Sequence, residues 1–241
     1  MTQILTFRYL FSVFLCLGML VGSPATWAKA RYEPTGIQVC VDVLCPLYYK
    51  YYGREGNQYE FNTSVDFASF ILEGDYGWGD IQRKGYSEAT SSKSSYASKG
   101  RYFRIGLDYN LLQDTPDKNM AFLGFRYARS LFKDHLASKV GYDSTGPMKN
   151  GNNHLIDNKQ DNVTARWFEA VAGVKVKMWK MLYVGGAFRY KLGLHFDGAN
   201  SYVPYDVLGW GLSNGRPFGF NIYLSLRIPF VRDTIPKIPG E

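Results

Sequence analysis

Three features of the chain predict an all-β protein, built as one eight-stranded antiparallel up-and-down β-barrel. Apolar and polar side chains alternate with a two-residue period in eight segments. The connections between those segments alternate between short and long. The polar faces carry full charges of both signs beside Gly, Ala and Ser. Composition agrees: of 241 residues 17% are aromatic, with 19 Tyr and 25 Gly. That aromatic load excludes intrinsic disorder, and so many Gly and Tyr argue against a helical bundle.

The first strand is read at 36–45, with Ile37, Val39, Val41 and Val43 opposing Gln38 and Asp42. The second, 58–67, sets Phe61, Thr63, Val65 and Phe67 against Asn62, Ser64 and Asp66; the third, 70–79, sets Phe70, Leu72, Tyr76 and Trp78 against Glu73 and Asp75. A two-residue hairpin at Ala68-Ser69 separates them and puts Phe67 and Phe70 on one face. The fourth strand, 101–111, has the cleanest alternation, with Phe103, Ile105, Leu107, Tyr109 and Leu111 opposing Arg104, Gly106, Asp108 and Asn110. The fifth, 120–131, opposes Leu123, Phe125 and Tyr127 to Gly124, Arg126, Ala128 and Ser130. The sixth, 163–177, opposes Phe168, Ala170, Ala172, Val174 and Val176 to Glu169, Gly173, Lys175 and Lys177. The seventh, 182–194, and the eighth, 218–230, repeat the pattern, with Arg189 and Lys191, then Asn221, Ser225 and Arg227, on their polar faces.

A soluble sheet turns such greasy faces inward, but thirteen charges would then need solvent, and eight apolar faces would need a cover. With the facing reversed, the polar side holds Asp42, Asp66, Glu73, Asp75, Asp108 and Glu169 against Arg104, Arg126, Lys175, Lys177, Arg189, Lys191 and Arg227. Six acids against seven bases is near the balance that a closed interior requires, because an unpaired buried ion costs several kcal/mol. Strands of about ten residues fit a tilted crossing of a bilayer. Only a closed sheet satisfies every backbone group there, and an even strand number fits bacterial barrels. The expected fold is therefore a transmembrane barrel with a polar, side-chain-filled interior. Its short periplasmic turns fall at 68–69, 112–119 and 178–181, and its long extracellular loops at 46–57, 80–100, 132–162 and 195–217. Interfacial aromatics are expected at Tyr48, Tyr49, Tyr51, Tyr52, Tyr59 and Tyr102 on the outer side, and at Trp179 and Phe230 on the inner side.

The N-terminus supports this compartment. Residues 1–30 hold Arg8 and Lys29 but no acid; Tyr9–Val21 is apolar, and Ala28-Lys29-Ala30 is a small-x-small cleavage site. This reads as a secretory signal peptide cut after Ala30. Domain boundaries follow: 1–30 signal peptide, 31–230 barrel, 231–241 a short periplasmic tail. After cleavage 26 basic and 21 acidic side chains remain, a net charge of about +5. The two remaining cysteines, Cys40 and Cys45, would lie ~16 Å apart on an extended strand, too far to bridge without a bend near Pro46.

The stretch Gly100-Arg101-Tyr102-Phe103-Arg104-Ile105-Gly106-Leu107-Asp108-Tyr109-Asn110-Leu111-Leu112, followed by Phe122-Leu123-Gly124-Phe125-Arg126-Tyr127-Ala128-Arg129-Ser130, resembles a small outer-membrane β-barrel family of Bacteroidota known only as a domain of unknown function. The ending Leu224-Ser225-Leu226-Arg227-Ile228-Pro229-Phe230 is similar as well. The resemblance implies a fold and a compartment and carries no functional residue across. The tail Val231–Glu241 departs from the usual terminal aromatic of such barrels.

Catalytic patterns are sparse. An activated serine needs a histidine with an acidic partner, and the three histidines, His135, His154 and His195, fall in loops or at strand ends without a suggestive spacing. Converging loop histidines could hold a metal, but no ligand spacing points to one. Gly77-x-Gly79 precedes no helix and so is no dinucleotide fingerprint. Lys and Arg are spread through the chain without the basic stripe that nucleic acid requires. Asn62-Thr63-Ser64 and Asn162-Val163-Thr164 match sequons that matter only in a eukaryotic secretory chain.

The expectation is a non-enzymatic, monomeric barrel of the bacterial outer membrane, structural or surface-interacting, without cofactor or metal. Its partners would be outer-membrane lipid, the barrel-assembly machinery during biogenesis, and an extracellular partner met through loops 80–100 and 132–162. Alternatives are a narrow pore, a lipid-modifying enzyme, and a secreted soluble barrel carrying an apolar ligand. Glu73, Asp75, Arg104, Asp108, Arg126, Glu169, Arg189 and Arg227 are the expected interior network, with a structural role, and Arg126 should meet Asp108 across the hairpin of strands four and five.

Overall fold

The computed structural model describes residues 34–51, 55–67, 69–87, 92–112, 115–140, 154–199, 202–215 and 217–230. The expected cleavage site at Ala28 and Ala30, the tail 231–241 and Tyr52 lie outside the described residues. The elements in order are β1 (Gly36–Asp42), α1 (Leu44–Tyr51), β2 (Gly56–Phe67), β3 (Phe70–Ser87), β4 (Ser92–Asn110), β5 (Met120–Val140), β6 (His154–Trp179), β7 (Leu182–Asp197), β8 (Asp206–Val207), β9 (Gly211–Leu212) and β10 (Phe218–Pro229). Eight of the strands close into an antiparallel barrel in the order β1-β10-β7-β6-β5-β4-β3-β2, while β8 and β9 pair separately. Closure is made by β1 against β10, with Cys40 opposite Ser225 and Asp42 opposite Tyr223.

Alternation sets the facing. Along β1 the side chains of Gln38, Cys40 and Asp42 are buried while Val39 is exposed. The same parity holds around the ring. Val39, Phe61, Leu72, Ile105, Phe125, Val174, Phe188 and Leu226, one from each barrel strand, are 44–54% exposed on the outer surface. The charged faces line the inside. Phe67 pairs with Phe70 across the tight β2–β3 turn, as the hairpin reading requires. Lys180, at φ 42°, supplies a left-handed position in the Lys180-Met181 turn between β6 and β7.

Several expectations are corrected. The segments 80–100 and 132–162 are not loops for most of their length. β3 and β4 stay paired from Phe70 opposite Tyr109 to Ser87 opposite Ser92, and β5 and β6 stay paired to Val140 opposite His154. The connection between β3 and β4 spans only 88–91, shorter than the turn 111–119, so loop length does not alternate strictly. At 18 to 26 residues, β3–β6 far exceed the partners that flank them. β2 ends its pairing at Gly56 opposite Ile81, and β7 at Asp197 opposite Thr164. Beyond that level the sheet is four strands wide and projects from the barrel end. Ser, Lys and Asn on those strands hid the alternation, because both faces of the projection are polar.

The first connection holds an unforeseen helix, α1. Asp42 Oδ1 accepts the Leu44 N–H at 3.0 Å, satisfying one free donor of the first turn, and Pro46 sits in that turn, where its missing N–H costs nothing. Tyr48, Tyr49 and Tyr51 therefore ride on a helix rather than on a strand end, and Tyr49 is buried. Cys40 and Cys45 are free thiols, one inside the barrel and one on α1.

The interior has apolar parts that the charge pattern did not foretell. Ile81, Tyr102, Ala128, Phe132, Val163, Ala165 and Trp167 form a cluster at the loop end with Val207 and Leu208. Tyr102, expected among the interfacial aromatics, is fully buried there. Cys40, Ile71, Met120, Phe122, Val171, Ala187 and Tyr223 make a second cluster inside the same barrel.

Candidate functional site

The feature that concentrates chemistry is the ionised layer inside the barrel. Opposed parity on eight strands directs its side chains to one axis, and inward glycines leave room for the longest of them. A Cβ on Gly77 would lie 2.2 Å from the Tyr102 ring, one on Gly106 2.5 Å from Arg126 Cγ, and one on Gly124 1.7 Å from Asp108 Oδ1. Eight strands enclose little more space than side chains fill, so the network is packed side chain against side chain.

Three guanidiniums organise the layer. Arg126, 1% exposed, donates to Asp108 at 2.7 Å and Asp75 at 2.9 Å, with Glu73 at 3.3 Å. The Asp108 contact is the one that the β4–β5 register imposes: Gly106 faces Arg126 and Gly124 faces Asp108, so the two charged side chains meet on the diagonal. Arg104 donates to Glu60 at 2.6 Å and to Glu169 at 3.1 Å. Arg189 donates to Glu60 at 3.0 Å and contacts Tyr223 OH, with Asp75 at 3.5 Å and Glu169 at 3.7 Å. Trp167 Nε1 donates to Glu169 at 2.7 Å, and Asn62 Nδ2 donates to Asp75 at 2.6 Å and to Glu73.

Of the eight residues singled out from sequence, Glu73, Asp75, Arg104, Asp108, Arg126, Glu169 and Arg189 thus lie in one connected set. Arg227 stands apart, held by Asp66 at 3.0 Å and by Thr35 Oγ1 at 3.4 Å. Lys175 joins through Glu73 at 2.8 Å. Lys177 does not enter the interior; it is half-buried at the rim and bonds Asp117 at 3.2 Å.

Sequence reading missed Glu60, which is central. It accepts Arg104 and Arg189, the Tyr102 hydroxyl at 2.6 Å and the Tyr223 hydroxyl at 3.0 Å. Its parity with Asn62, Ser64 and Asp66 was the available signal. Glu60 also shifts the balance. Among the described residues the buried ions are Asp42, Glu60, Asp66, Glu73, Asp75, Asp108, Asp134, Glu169 and Asp206 against Arg104, Arg126, Lys175, Arg189, Lys191 and Arg227, nine acids to six bases rather than six to seven.

Residues 206–210, between β7 and β10, close the loop end from inside, which alternation could not reveal. Gly209, at φ +83°, lies against the Tyr102 ring, where a Cβ would come within 2.8 Å. Its carbonyl accepts Arg104 Nη2 and Lys191 Nζ, both at 3.0 Å, and Lys191 also donates to the Trp210 carbonyl at 2.6 Å. Arg83 clamps Asp206 at 2.7 Å, and Tyr96 OH donates to the Asp206 carbonyl at 3.0 Å.

Chemically this is an arrangement that holds charge. Arginine does not deprotonate in proteins, so a set organised on three guanidiniums fixes carboxylates instead of relaying protons. Elsewhere, His135 pairs with Asp157 at 2.5 Å and His195 lies 3.4 Å from Asp197, both exposed; the His154 side chain lies outside the described residues. Among the described residues no group of three His, Cys, Asp or Glu could hold a metal ion.

No curated protein and no solved structure matches the chain. A family profile, described as a domain of unknown function (DUF6048), matches residues 7–233. That match covers most of the chain, including the whole closed barrel, and the chain belongs to this family.

Proposed function

We propose that the protein is a non-enzymatic β-barrel of the bacterial outer membrane, with a filled interior that stabilises it and a projecting sheet that meets the exterior. One observation carries this reading: each barrel strand turns a large apolar residue outward while the ionised residues face in. In water such a continuous apolar cylinder would be an aggregation surface far larger than a soluble monomer tolerates. Against acyl chains it is the favoured arrangement, and a closed sheet is the strand architecture that can satisfy its own backbone there.

The interior network then has a structural role. Each carboxylate of the set is matched to a guanidinium, ammonium, amide or hydroxyl donor, which offsets the cost of removing it from water. The surface role passes from loops to the paired strands β3–β6, whose projecting part is rigid enough to present side chains at fixed spacing. The partners we assign are membrane lipid and, during biogenesis, the barrel-assembly machinery. Cell fractionation followed by gel mobility with and without heating tests location and closure together. Recovery in the outer-membrane fraction with a heat-dependent mobility shift is expected. Recovery in the soluble fraction would overturn the reading.

A further inference from the structure

We propose that the outward face of β4–β6, at the loop-end border of the apolar band, is a binding site for the phosphorylated headgroup of a membrane lipid. The inference rests on the membrane reading above and adds a ligand class to it.

Cross-strand register gives the first observation. Arg129 and Arg166 are directly opposite each other on β5 and β6, both outward and exposed. Arg101 on β4 is outward and exposed one pair further along, opposite Leu131. One pair beyond that, Lys99 and Lys133 again face each other directly. Like charges directly opposite on a sheet repel and destabilise it. Here the arrangement occurs twice in succession on neighbouring strands. An anion seated between the opposed cations converts that repulsion into attraction, and guanidinium forks bind phosphate oxygens in a bidentate manner.

Local carboxylates offset only part of the cluster. Arg166 lies 2.8 Å from Asp197, and Lys133 lies 3.0 Å from Asp161, while Asp80 is opposite Lys99. The side chains of Arg101 and Arg129 form no ion pair among the described residues. Above them a groove of about 330 Å³ is lined by Lys99, Lys133, His135 and Lys159, with Asp80, Asp134 and Asp161.

The second observation selects a lipid over a free anion. Directly below the arginines on the same face lie Phe103, Ile105, Phe125, Tyr127 and Phe168, with Phe125 stacked on Phe168 at 5.4 Å. An amphipathic molecule with phosphate at one end and acyl chains at the other matches both halves at once. The rest of the ring sets no Arg or Lys outward at the corresponding border: the outward residues there are Trp78 on β3, His195 on β7, Phe218 on β10 and Tyr59 on β2.

The test refolds the full chain into phosphatidylcholine vesicles containing lipid A, either bisphosphorylated or dephosphorylated. Lipid retained after detergent extraction is then counted by native mass spectrometry. Wild-type protein is expected to retain the phosphorylated form selectively. Arg101→Gln/Arg129→Gln/Arg166→Gln should lose about fivefold in retention per arginine removed. Arg129→Gln alone, at an exposed position without a carboxylate partner, keeps the test decisive if the triple variant fails to fold. Equal retention of both lipids, equal retention by wild type and variants, or displacement by inorganic phosphate at matched concentration would each overturn the proposal and leave the membrane reading standing. Failure of the wild type to insert into either vesicle would sink both.

Discussion

Arg126 on β5 and Lys84 on β3 are both basic side chains on long strands, and both touch a carboxylate, Asp108 at 2.7 Å and Glu55 at 2.6 Å. Distance therefore does not separate them. Exposure does: the Arg126 side chain is 1% exposed and that of Lys84 is 70%. Inside the barrel each ion has lost its water and depends on its partners. On the projecting sheet, the pairs Lys84–Glu55, Lys133–Asp161 and His135–Asp157 keep solvent as an alternative partner. An exposed pair contributes at most about 1 kcal/mol, whereas stripping one partner from a buried set costs several times more. One sheet thus carries two kinds of ionic contact. In the barrel part they are packed into the interior, and on the projection they stay solvated.

The strongest way to break this contrast is Arg126→Leu. It removes three carboxylate contacts at once and leaves Asp75, Asp108 and Glu73 facing a leucine. A loss of about 3–5 kcal/mol is expected, read as a lower urea midpoint for the protein folded in detergent. Equal midpoints for variant and wild type would place the network outside the stability of the fold. Gly124→Ala attacks the same contact sterically, since its Cβ would fall on the Asp108 carboxylate and drive it off Arg126. About 1–3 kcal/mol is expected for this overpacking. Tyr102→Phe is gentler. It removes the hydroxyl that donates to Glu60 and accepts Gln58 Nε2 at 3.0 Å, without leaving a charge unpaired. A loss of about 1–2 kcal/mol is expected, with the gel mobility shift retained.

The barrel itself was legible in the sequence because its two faces differ in kind. Wherever a strand alternates between lipid-like and ionised side chains, as at Phe103–Leu111, parity alone fixes the facing, and the Arg126–Asp108 contact follows from hairpin register. Legibility failed where the faces stop differing. The projecting parts of β3–β6 carry Ser, Lys and Asn on both sides, so a two-residue period exists in the backbone without appearing in the side chains. Tyr102 misled because a tyrosine suits an interfacial belt as well as a buried pocket; its parity with Arg104 and Asp108 pointed inward, and Gly77 across the pair opens the space for its ring. The tip at Gly209 was invisible, since a loop entering its own barrel leaves no periodic trace.

The smallest expected effect sharpens the comparison from the exposed side. The hydrogen bond from His135 holds the Asp157 carboxyl below its ordinary value of 3.8. A depressed carboxyl stabilises the folded state above the ordinary value and loses that contribution as pH falls through the folded one. Its window therefore lies wholly in acid, below pH 3.8, and the group is solvated throughout. Asp157→Asn should accordingly fall only slightly below the wild-type unfolding midpoint, by the same small margin at pH 7 and at pH 5, and converge with it in solution more acid than pH 3.8 as the wild-type carboxyl protonates. Urea titrations of the two proteins at those pH values check this. A clear loss for Asp157→Asn at pH 7 would mean that a pair on the projection behaves as the interior pairs do, and exposure would no longer divide the two regions.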